Sequence, residues 1–287
     1  MWIRSFTPTV VASLFVGDLM HRLPLKPSWL AYALLAFIVL SNGAIASAQS
    51  TVATIFGATL AEPNQKTAEL STQEVQRILA DGTAAVFDAR PPMEFATSHV
   101  PGARNVGQKP GTPISLYISD VAEIERQLPD KNTALVLYCN GPYCGKSKRL
   151  SEDLLTAGYT NVRRYQLGAP TWRALVGTMQ IELDGLKYVY QADQTAVFFD
   201  ARTPEEFQAG SLAGARNLQV EDVELAKEDG RLPMEDHNTR VIVFGANAEQ
   251  ARAVAERVAK NAFHNVTFFG GDIASLESEV AFNLPER

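Results

Sequence analysis

The segment Asp88-Ala-Arg-Pro-Pro-Met-Glu-Phe95 recurs 112 residues later as Asp200-Ala-Arg-Thr-Pro-Glu-Glu-Phe207. Each segment runs on to a Gly-Ala-Arg-Asn tetrapeptide, which ends at Asn105 and at Asn217. Self-similarity at a fixed spacing indicates a repeated structural unit. The chain is therefore a duplication, and its 287 residues suit two domains.

Short apolar runs alternate with helix-like segments in the first copy. The sequence Ser71-Thr-Gln-Glu74 has the form of a capping box and predicts the start of a helix. Residues 84–87 and Leu135–Tyr138 are apolar runs typical of buried strands. A helix is predicted over 147–157, followed by a strand at 162–165. This alternation predicts a mostly parallel sheet.

The second copy repeats the same order of elements. Strands are predicted at 196–199 and Val241–Phe244, a helix at 249–260, and Asp184 as the cap of an earlier helix. The predicted fold class is therefore α/β. Each copy is expected to form an open, mostly parallel sheet flanked by helices.

Composition and charge exclude several classes of function. The chain is 46% hydrophobic and 20% charged, as in ordinary soluble proteins, and its net charge of -6 gives no electrostatic basis for binding nucleic acid. Four dispersed histidines do not predict a four-ligand zinc site, and no metal or other cofactor is expected. The two cysteines, Cys139 and Cys144, fall within six residues, which indicates chemistry rather than structural cross-linking.

The N-terminal segment has the features of a secretory signal. Lys26 precedes an apolar run at 29–40, and Ala46-Ser-Ala48 supplies small residues at the spacing that a signal peptidase needs. We predict a signal peptide over 1–48 and a periplasmic or secreted protein. The apolar run is shorter than the roughly 20 residues that span a bilayer. An uncleaved anchor, which would keep the protein at a membrane, is the alternative.

The remaining boundaries follow from this interpretation. Met20, which precedes a basic stretch, gives a more conventional signal than Met1 and is the expected initiator. Residues 49–66 are predicted to be a linker. The first domain is then 67–178, which contains Cys139, and the second is 179–287.

The loop after the strand Leu135–Tyr138 has the composition of an anion cradle. Open parallel sheets bind ligands beyond the carboxyl ends of their strands, where Cys139 lies. Helix N-termini and nearby cations favour the thiolate, which is the nucleophilic form of cysteine. We interpret Cys139 as a nucleophile; the alternative is a small buried apolar side chain. The residues predicted to bind the substrate are Asn140, Gly141, Tyr143, Cys144, Gly145, Lys146, Ser147 and Arg149.

These motifs resemble those of the rhodanese family of sulfurtransferases, in a tandem form with a signal peptide. The resemblance covers nearly all of 67–280. Asp88-Ala-Arg90 with Glu94-Phe95 resembles one structural signature of the family, and His99-Val-Pro-Gly-Ala-Arg-Asn105 resembles the other. Tyr138-Cys139 resembles the family's active site, and Leu167-Gly-Ala-Pro-Thr-Trp172 its closing turn.

The resemblance implies a two-step sulfur transfer. Cys139 would take a sulfane sulfur from thiosulfate or a similar donor, form a persulfide, and pass the outer sulfur to a thiol or cyanide. A protein thiol is a further expected acceptor. The second copy has Gly245 in place of the cysteine, so it is expected to support the first copy rather than react. The alternative to an enzyme is a rhodanese-like module that binds a protein, carries sulfur or senses redox state without turnover.

The loop departs from the family pattern, and the departures bear on other chemistries. Single-domain rhodaneses have a loop resembling Cys-x-x-Gly-x-Arg, whereas Gly141 comes earlier here and Cys144 stands where arginine is expected. Related phosphatases need arginine where Gly145 lies, and a P-loop needs glycine where Asn140 lies. Cys144 can form a disulfide with Cys139, either resolving a persulfide or switching the site off. The Cys-x4-Cys spacing differs from the Cys-x-x-Cys of thioredoxins.

Several conspicuous side chains are interpreted as structural. The charged residues of the repeat persist in the copy without cysteine, so they are expected to form ion pairs and turn contacts. His99 is expected to pack within a loop, and Trp172 to anchor the core. The repeated charged residues are Asp88, Arg90, Glu94 and Arg104, with their counterparts Asp200, Arg202, Glu206 and Arg216.

Overall fold

A computed structural model describes residues 54–107, 120–279 and 282–283 of the chain. The predicted signal peptide, the start at Met20 and the first residues of the predicted linker lie outside the described residues. None of the helices described in these ranges is long and apolar enough to cross a membrane.

The first copy forms a five-stranded parallel sheet, as the alternation of elements predicts. Its strand order is β1-β5-β4-β2-β3, so the three longer strands lie together at the centre. The apolar runs predict β2, β4 and β5 to within one residue. In chain order the strands are β1 (Ala68–Glu69), β2 (Ala85–Asp88), β3 (Arg104–Asn105), β4 (Leu135–Tyr138) and β5 (Val162–Tyr165).

The second copy forms a sheet of the same topology. Its strand order, β6-β11-β10-β7-β9, matches that of the first sheet strand for strand, which confirms the duplication and the α/β class. A short antiparallel pair, β8 with β12, lies apart from this sheet. The strands are β6 (Thr178–Ile181), β7 (Val197–Asp200), β8 (Ser211–Leu212), β9 (Arg216–Asn217), β10 (Val241–Phe244), β11 (Val266–Phe269) and β12 (Phe282–Asn283).

Helices pack on the two sheets, and the start of the first helix follows from capping. The predicted capping box is present, because the Ser71 and Glu74 side chains each bind the other's backbone N–H. The helices are α1 (Thr72–Asp81), α2 (Pro92–Thr97), α3 (Val121–Gln127), α4 (Lys146–Thr156), α5 (Gly168–Val176), α6 (Leu183–Ala192), α7 (Pro204–Ala209), α8 (Ala248–Ala259) and α9 (Ile273–Glu279).

The predicted cap of α6 is wrong by two residues. Glu182 is the N-cap residue, and Asp184 lies within the first turn. The Glu182 N–H donates to the Ala96 carbonyl at 2.8 Å, so a contact with the first copy holds the extended residue that precedes the helix. Asp184 still stabilises the helix, because a carboxylate in the first turn interacts favourably with the positive end of the helix dipole.

The two copies meet where α2 packs against α6. Gly185 lies against the Ala96 and Thr97 backbone so closely that a Cβ atom would overlap it. His99 and Gln180 form an isolated antiparallel bridge, with N–H to O distances of 2.9 Å and 2.8 Å. The second copy therefore supports α2, which borders the Cys139 loop.

His99 is buried at this junction, in agreement with its predicted packing role. Its ring stacks on Phe95 with centroids 3.8 Å apart, Nδ1 lies 2.9 Å from the Phe95 carbonyl, and Nε2 lies 3.3 Å from a Glu182 carboxylate oxygen. Burial lowers the pKa of His99 to about 4. The imidazole is therefore neutral near neutral pH.

His99 is expected to make the fold acid-sensitive. Between its unfolded pKa near 6.5 and its folded pKa of about 4, the unfolded state binds the extra proton, so stability is lost as pH falls through this window. The expected loss from this group is about 2 kcal/mol at about pH 5. Urea unfolding at about pH 7 and about pH 5 measures it. His99→Phe should reduce the pH-dependent difference by that amount; an unchanged difference would contradict the assignment.

Candidate active site

Cys139 lies at the carboxyl end of β4, at the centre of the first sheet. It is 2% exposed, and its carbonyl accepts the Ala169 N–H at 3.0 Å. Gly168 adopts a left-handed φ of 66°, and any Cβ there would overlap the Cys139 carbonyl and the Gly141 backbone. The predicted closing turn therefore packs directly beneath the cysteine, and only glycine fits at this position.

Cys139 and Cys144 are joined by a disulfide, with Cα atoms 6.2 Å apart. The turn between them is closed by the Cys144 N–H, which donates to the Gly141 carbonyl at 3.0 Å. Gly141 has a φ of 95°, a conformation that favours glycine. Cys144, one of the residues predicted to bind substrate, is thus bonded to the predicted nucleophile.

The other residues predicted to bind substrate lie within this turn or in the first residues of α4, and they differ in exposure. The Tyr143 side chain is fully exposed. Gly145 is the N-cap residue of α4, so no side chain caps this helix. Ser147 is buried in the first turn, whereas Arg149 is exposed. The ammonium nitrogen of Lys146 is buried and has no hydrogen-bond partner among the described residues. A buried cation without a partner favours an anion nearby.

Asn140 is held by a residue that sequence reasoning assigned to the scaffold. Its side-chain amide donates to a Glu94 carboxylate oxygen at 2.6 Å. In the second copy the equivalent Glu206 completes a capping box with Thr203. Proline stands at the corresponding N-cap position 91, so that box cannot form and Glu94 reaches the loop. This substitution between the copies is the signal that could have identified Glu94.

A second contact to the loop comes from Gln166, the residue that follows β5. The Gln166 side chain donates to the Pro142 carbonyl at 3.0 Å, while its backbone N–H donates to Glu69 at 3.1 Å. Glu69 also lies 3.5 Å from the guanidinium of Arg164, which is 1% exposed. Burial raises the pKa of Glu69 to about 6. Sequence reasoning missed this group because its members are scattered along the chain.

The segment predicted as a linker takes part in the same charge network. Glu62 lies 3.2 Å from Arg164 and 3.4 Å from Lys148 of α4. The pKa of Glu62 is lowered: its burial acts to raise it, and the contacts with Arg164 and Lys148 outweigh that effect. The charge of Lys148, which lies between the predicted substrate-binding residues Ser147 and Arg149, is therefore partly neutralised by a residue upstream of the predicted domain.

The repeated Asp–Arg motif is a buried ion pair in both copies, as predicted. Arg90 contacts Asp88 through Nε and Nη2, with a shortest distance of 2.6 Å, and both side chains are buried. Burial raises the pKa of Tyr138, which also hydrogen-bonds with Asp88, well above its usual range. Because phenylalanine replaces this tyrosine in the second copy, Ser211 supplies the hydroxyl to Asp200 at 2.7 Å. These groups shape the strand ends and do not form an exposed catalytic centre.

The equivalent loop of the second copy is short and closed. Gly245 follows β10, the Gln250 side chain accepts the Ala246 N–H at 2.9 Å, and Asn247 caps α8. No thiol is present there. In the second copy, a short loop held by these hydrogen bonds therefore lies where the first copy has the Cys139 turn.

A metal site or a cavity away from Cys139 would be an alternative functional site in the described residues. The described residues contain no group of three or more His, Cys, Asp or Glu side chains that could hold a metal ion. A cavity of about 890 Å³ lies between the copies, lined by residues that include Gly102, Arg104 and Arg252. It includes no residue of the Cys139 turn.

Comparison with known proteins identifies the repeated unit. The family model described as Rhodanese-like domain matches residues 71–175 and 186–279. No curated protein matches the chain.

Solved structures with a similar arrangement have low sequence identity. They include a thiosulfate sulfurtransferase from Pseudomonas aeruginosa (22% identity, TM-score 0.30), which covers 76% of this chain; the chain spans 46% of that protein. A rhodanese-like domain from Anabaena sp shares 19% identity (TM-score 0.33, 37% of this chain and 79% of that one). EanB in complex with ergothioneine shares 14% identity (TM-score 0.33, 77% of this chain and 64% of that one).

Proposed function

Because this chain belongs to the rhodanese-like domain family, we propose that it is a sulfurtransferase that uses Cys139 as its nucleophile. One observation carries the proposal. Two copies of the same fold differ at the carboxyl end of the central strand, where only the first has a cysteine. A nucleophile at that point lies where open parallel sheets bind ligands.

The reaction proceeds in two displacements. The Cys139 thiolate attacks the outer sulfur of thiosulfate, the sulfur–sulfur bond of the donor breaks, and sulfite leaves with the bonding electron pair. The resulting Cys139 persulfide then loses its outer sulfur to a thiolate or to cyanide, which restores the Cys139 thiolate. The disulfide with Cys144 must be reduced before the first step.

The surrounding residues favour the anions in both steps. Cys139 lies seven residues before the start of α4, whose first-turn N–H groups and dipole stabilise negative charge. The buried ammonium of Lys146 offers a counter-charge for a sulfonate or a persulfide. Asn140 is fixed by Glu94, so the residue next to the nucleophile is held in place.

The acceptor is a small thiol, cyanide or a protein thiol. The fully exposed Tyr143 beside Cys144 offers an apolar contact for a protein acceptor at the mouth of the site. We propose that this reaction takes place in the periplasm or outside the cell, on the basis of the predicted signal peptide. The second copy acts as a support for α2 through Gly185 and the bridge at His99.

Cys139→Ser is expected to abolish the reaction. After reduction and desalting, wild-type protein mixed with thiosulfate should release about one sulfite per chain in a first turnover and form thiocyanate when cyanide is present. The serine variant should release neither above background, since a hydroxyl is a far weaker nucleophile. Circular dichroism checks that the variant is folded. Equal sulfite release from both proteins would refute Cys139 as the nucleophile.

The disulfide favours one second candidate, a redox-sensing module without turnover. In that case reduced wild-type protein would release no sulfite, while the bond between Cys139 and Cys144 would still form and break with the thiol buffer. The sulfite measurement therefore separates the two functions.

A further inference from the structure

The Cys139 loop is four residues longer than its counterpart, and the added length contains a second cysteine. Seven residues, from Cys139 to Gly145, separate β4 from α4, whereas three separate β10 from α8. The left-handed Gly141 and its hydrogen bond to the Cys144 N–H reverse the chain. The result is a sulfur atom that reaches the nucleophile without any rearrangement of the fold.

Access to the two sulfurs is unequal. Cys139 is 2% exposed, while Cys144 is partly exposed next to the fully exposed Tyr143. A bulky thiol from solution therefore meets Cys144 first. A persulfide on Cys139 would have the Cys144 thiol as its nearest partner, at an effective concentration far above that of free thiols.

Resting on the function proposed above, we propose that Cys144 resolves the Cys139 persulfide and releases the sulfane sulfur as hydrogen sulfide. The Cys144 thiolate attacks Sγ of Cys139, and the bond from Sγ to the protonated outer sulfur breaks. Hydrosulfide leaves with the bonding pair and keeps its proton. The sulfane sulfur gains two electrons, and the two cysteine sulfurs together lose two, which leaves the disulfide present in the structure.

The cycle is completed by two external thiols. The first attacks the more exposed Cys144, and the Cys139 thiolate leaves; the second attacks this mixed disulfide and frees Cys144. In sum, thiosulfate and two thiols give sulfite, hydrogen sulfide and one external disulfide. The protein is then a thiol-dependent thiosulfate reductase, in addition to any transfer to cyanide.

Sulfide and sulfite released in one turnover test this proposal. Wild type, Cys144→Ser and Cys144→Ala are fully reduced, freed of reductant and mixed with thiosulfate in the absence of oxygen. Wild type should release about one sulfite and about one sulfide per chain and end as the disulfide by intact mass. The Cys144 variants should release sulfite, retain one added sulfur, and give sulfide only after a dithiol is added. Cys139→Ser should release neither product.

The outcomes separate the two proposals. Sulfite without sulfide from wild type, or equal sulfide from wild type and both Cys144 variants before any thiol is added, overturns the resolving role and leaves sulfur transfer intact. Absence of sulfite from wild type overturns the sulfurtransferase itself. Circular dichroism and the second substitution at position 144 guard against a folding defect in one variant.

Discussion

Asp88→Asn is expected to destabilise the protein by about 3–5 kcal/mol, because it removes the carboxylate that the buried Arg90 guanidinium contacts. Arg90 is 4% exposed and Asp88 is fully buried. Asp88 accepts hydrogen bonds from the Arg90 backbone N–H and from its guanidinium. The asparagine amide would place its own N–H donors against these donors. A typical domain has only about 5–15 kcal/mol of stability to lose. Urea unfolding followed by circular dichroism measures the change.

Asp200→Asn in the second copy is the matched control. It removes the same carboxylate from Arg202, but that guanidinium also lies 3.7 Å from Glu277, whose side chain is partly exposed. Part of the counter-charge therefore remains, and the loss should be smaller, about 1–3 kcal/mol. Equal losses for the two substitutions would show that the extra partner of Arg202 contributes nothing.

Gly185→Ala is expected to weaken the contact between the two copies and lower the activity at Cys139. The added methyl overlaps the Ala96 carbonyl, and a backbone group cannot move aside without shifting α2. Overpacking of this kind costs about 1–3 kcal/mol, more than the roughly 1 kcal/mol that alanine gains in helix propensity. Because α2 carries Glu94, which holds Asn140, the shift should also reduce the sulfite burst.

Asp184→Ala controls for general effects on α6. Asp184 neighbours Gly185 but is exposed, so its replacement should cost about 1 kcal/mol or less and leave the sulfite burst intact. Urea unfolding and single-turnover sulfite release of both variants give the comparison. A Gly185→Ala protein with wild-type stability and activity would mean that the second copy does not support the site.

The fold was predictable from sequence because its determinants are local. Apolar runs, a capping box and the repeat located the strands β2, β4, β5 and β10 to within one residue. The cap of α6 was misassigned because a tertiary contact, between Glu182 and Ala96, fixes where that helix begins. Local propensity contains no information about such a contact.

The candidate site was only partly predictable. Position along the chain identified the loop from Cys139 to Ser147, since a parallel sheet presents its strand ends on one edge. It did not reveal that Glu94 binds Asn140 or that Gln166 binds Pro142. These pairs are separated by 46 and 24 residues, and only the folded chain brings them together.

The sequence by itself determined the duplication, the α/β class, the family resemblance and the one loop where the copies differ in chemistry. These properties reside in residue identity and spacing, which the chain carries before it folds. Only the tertiary structure decided which residues contact one another around the loop. It joins Cys144 to Cys139. It also directs Glu94 to Asn140 in the loop, and it packs α6 of the second copy against α2, the helix that carries Glu94. The reason is physical: a bond, a buried charge or a close helix contact depends on distances between atoms, and folding sets those distances.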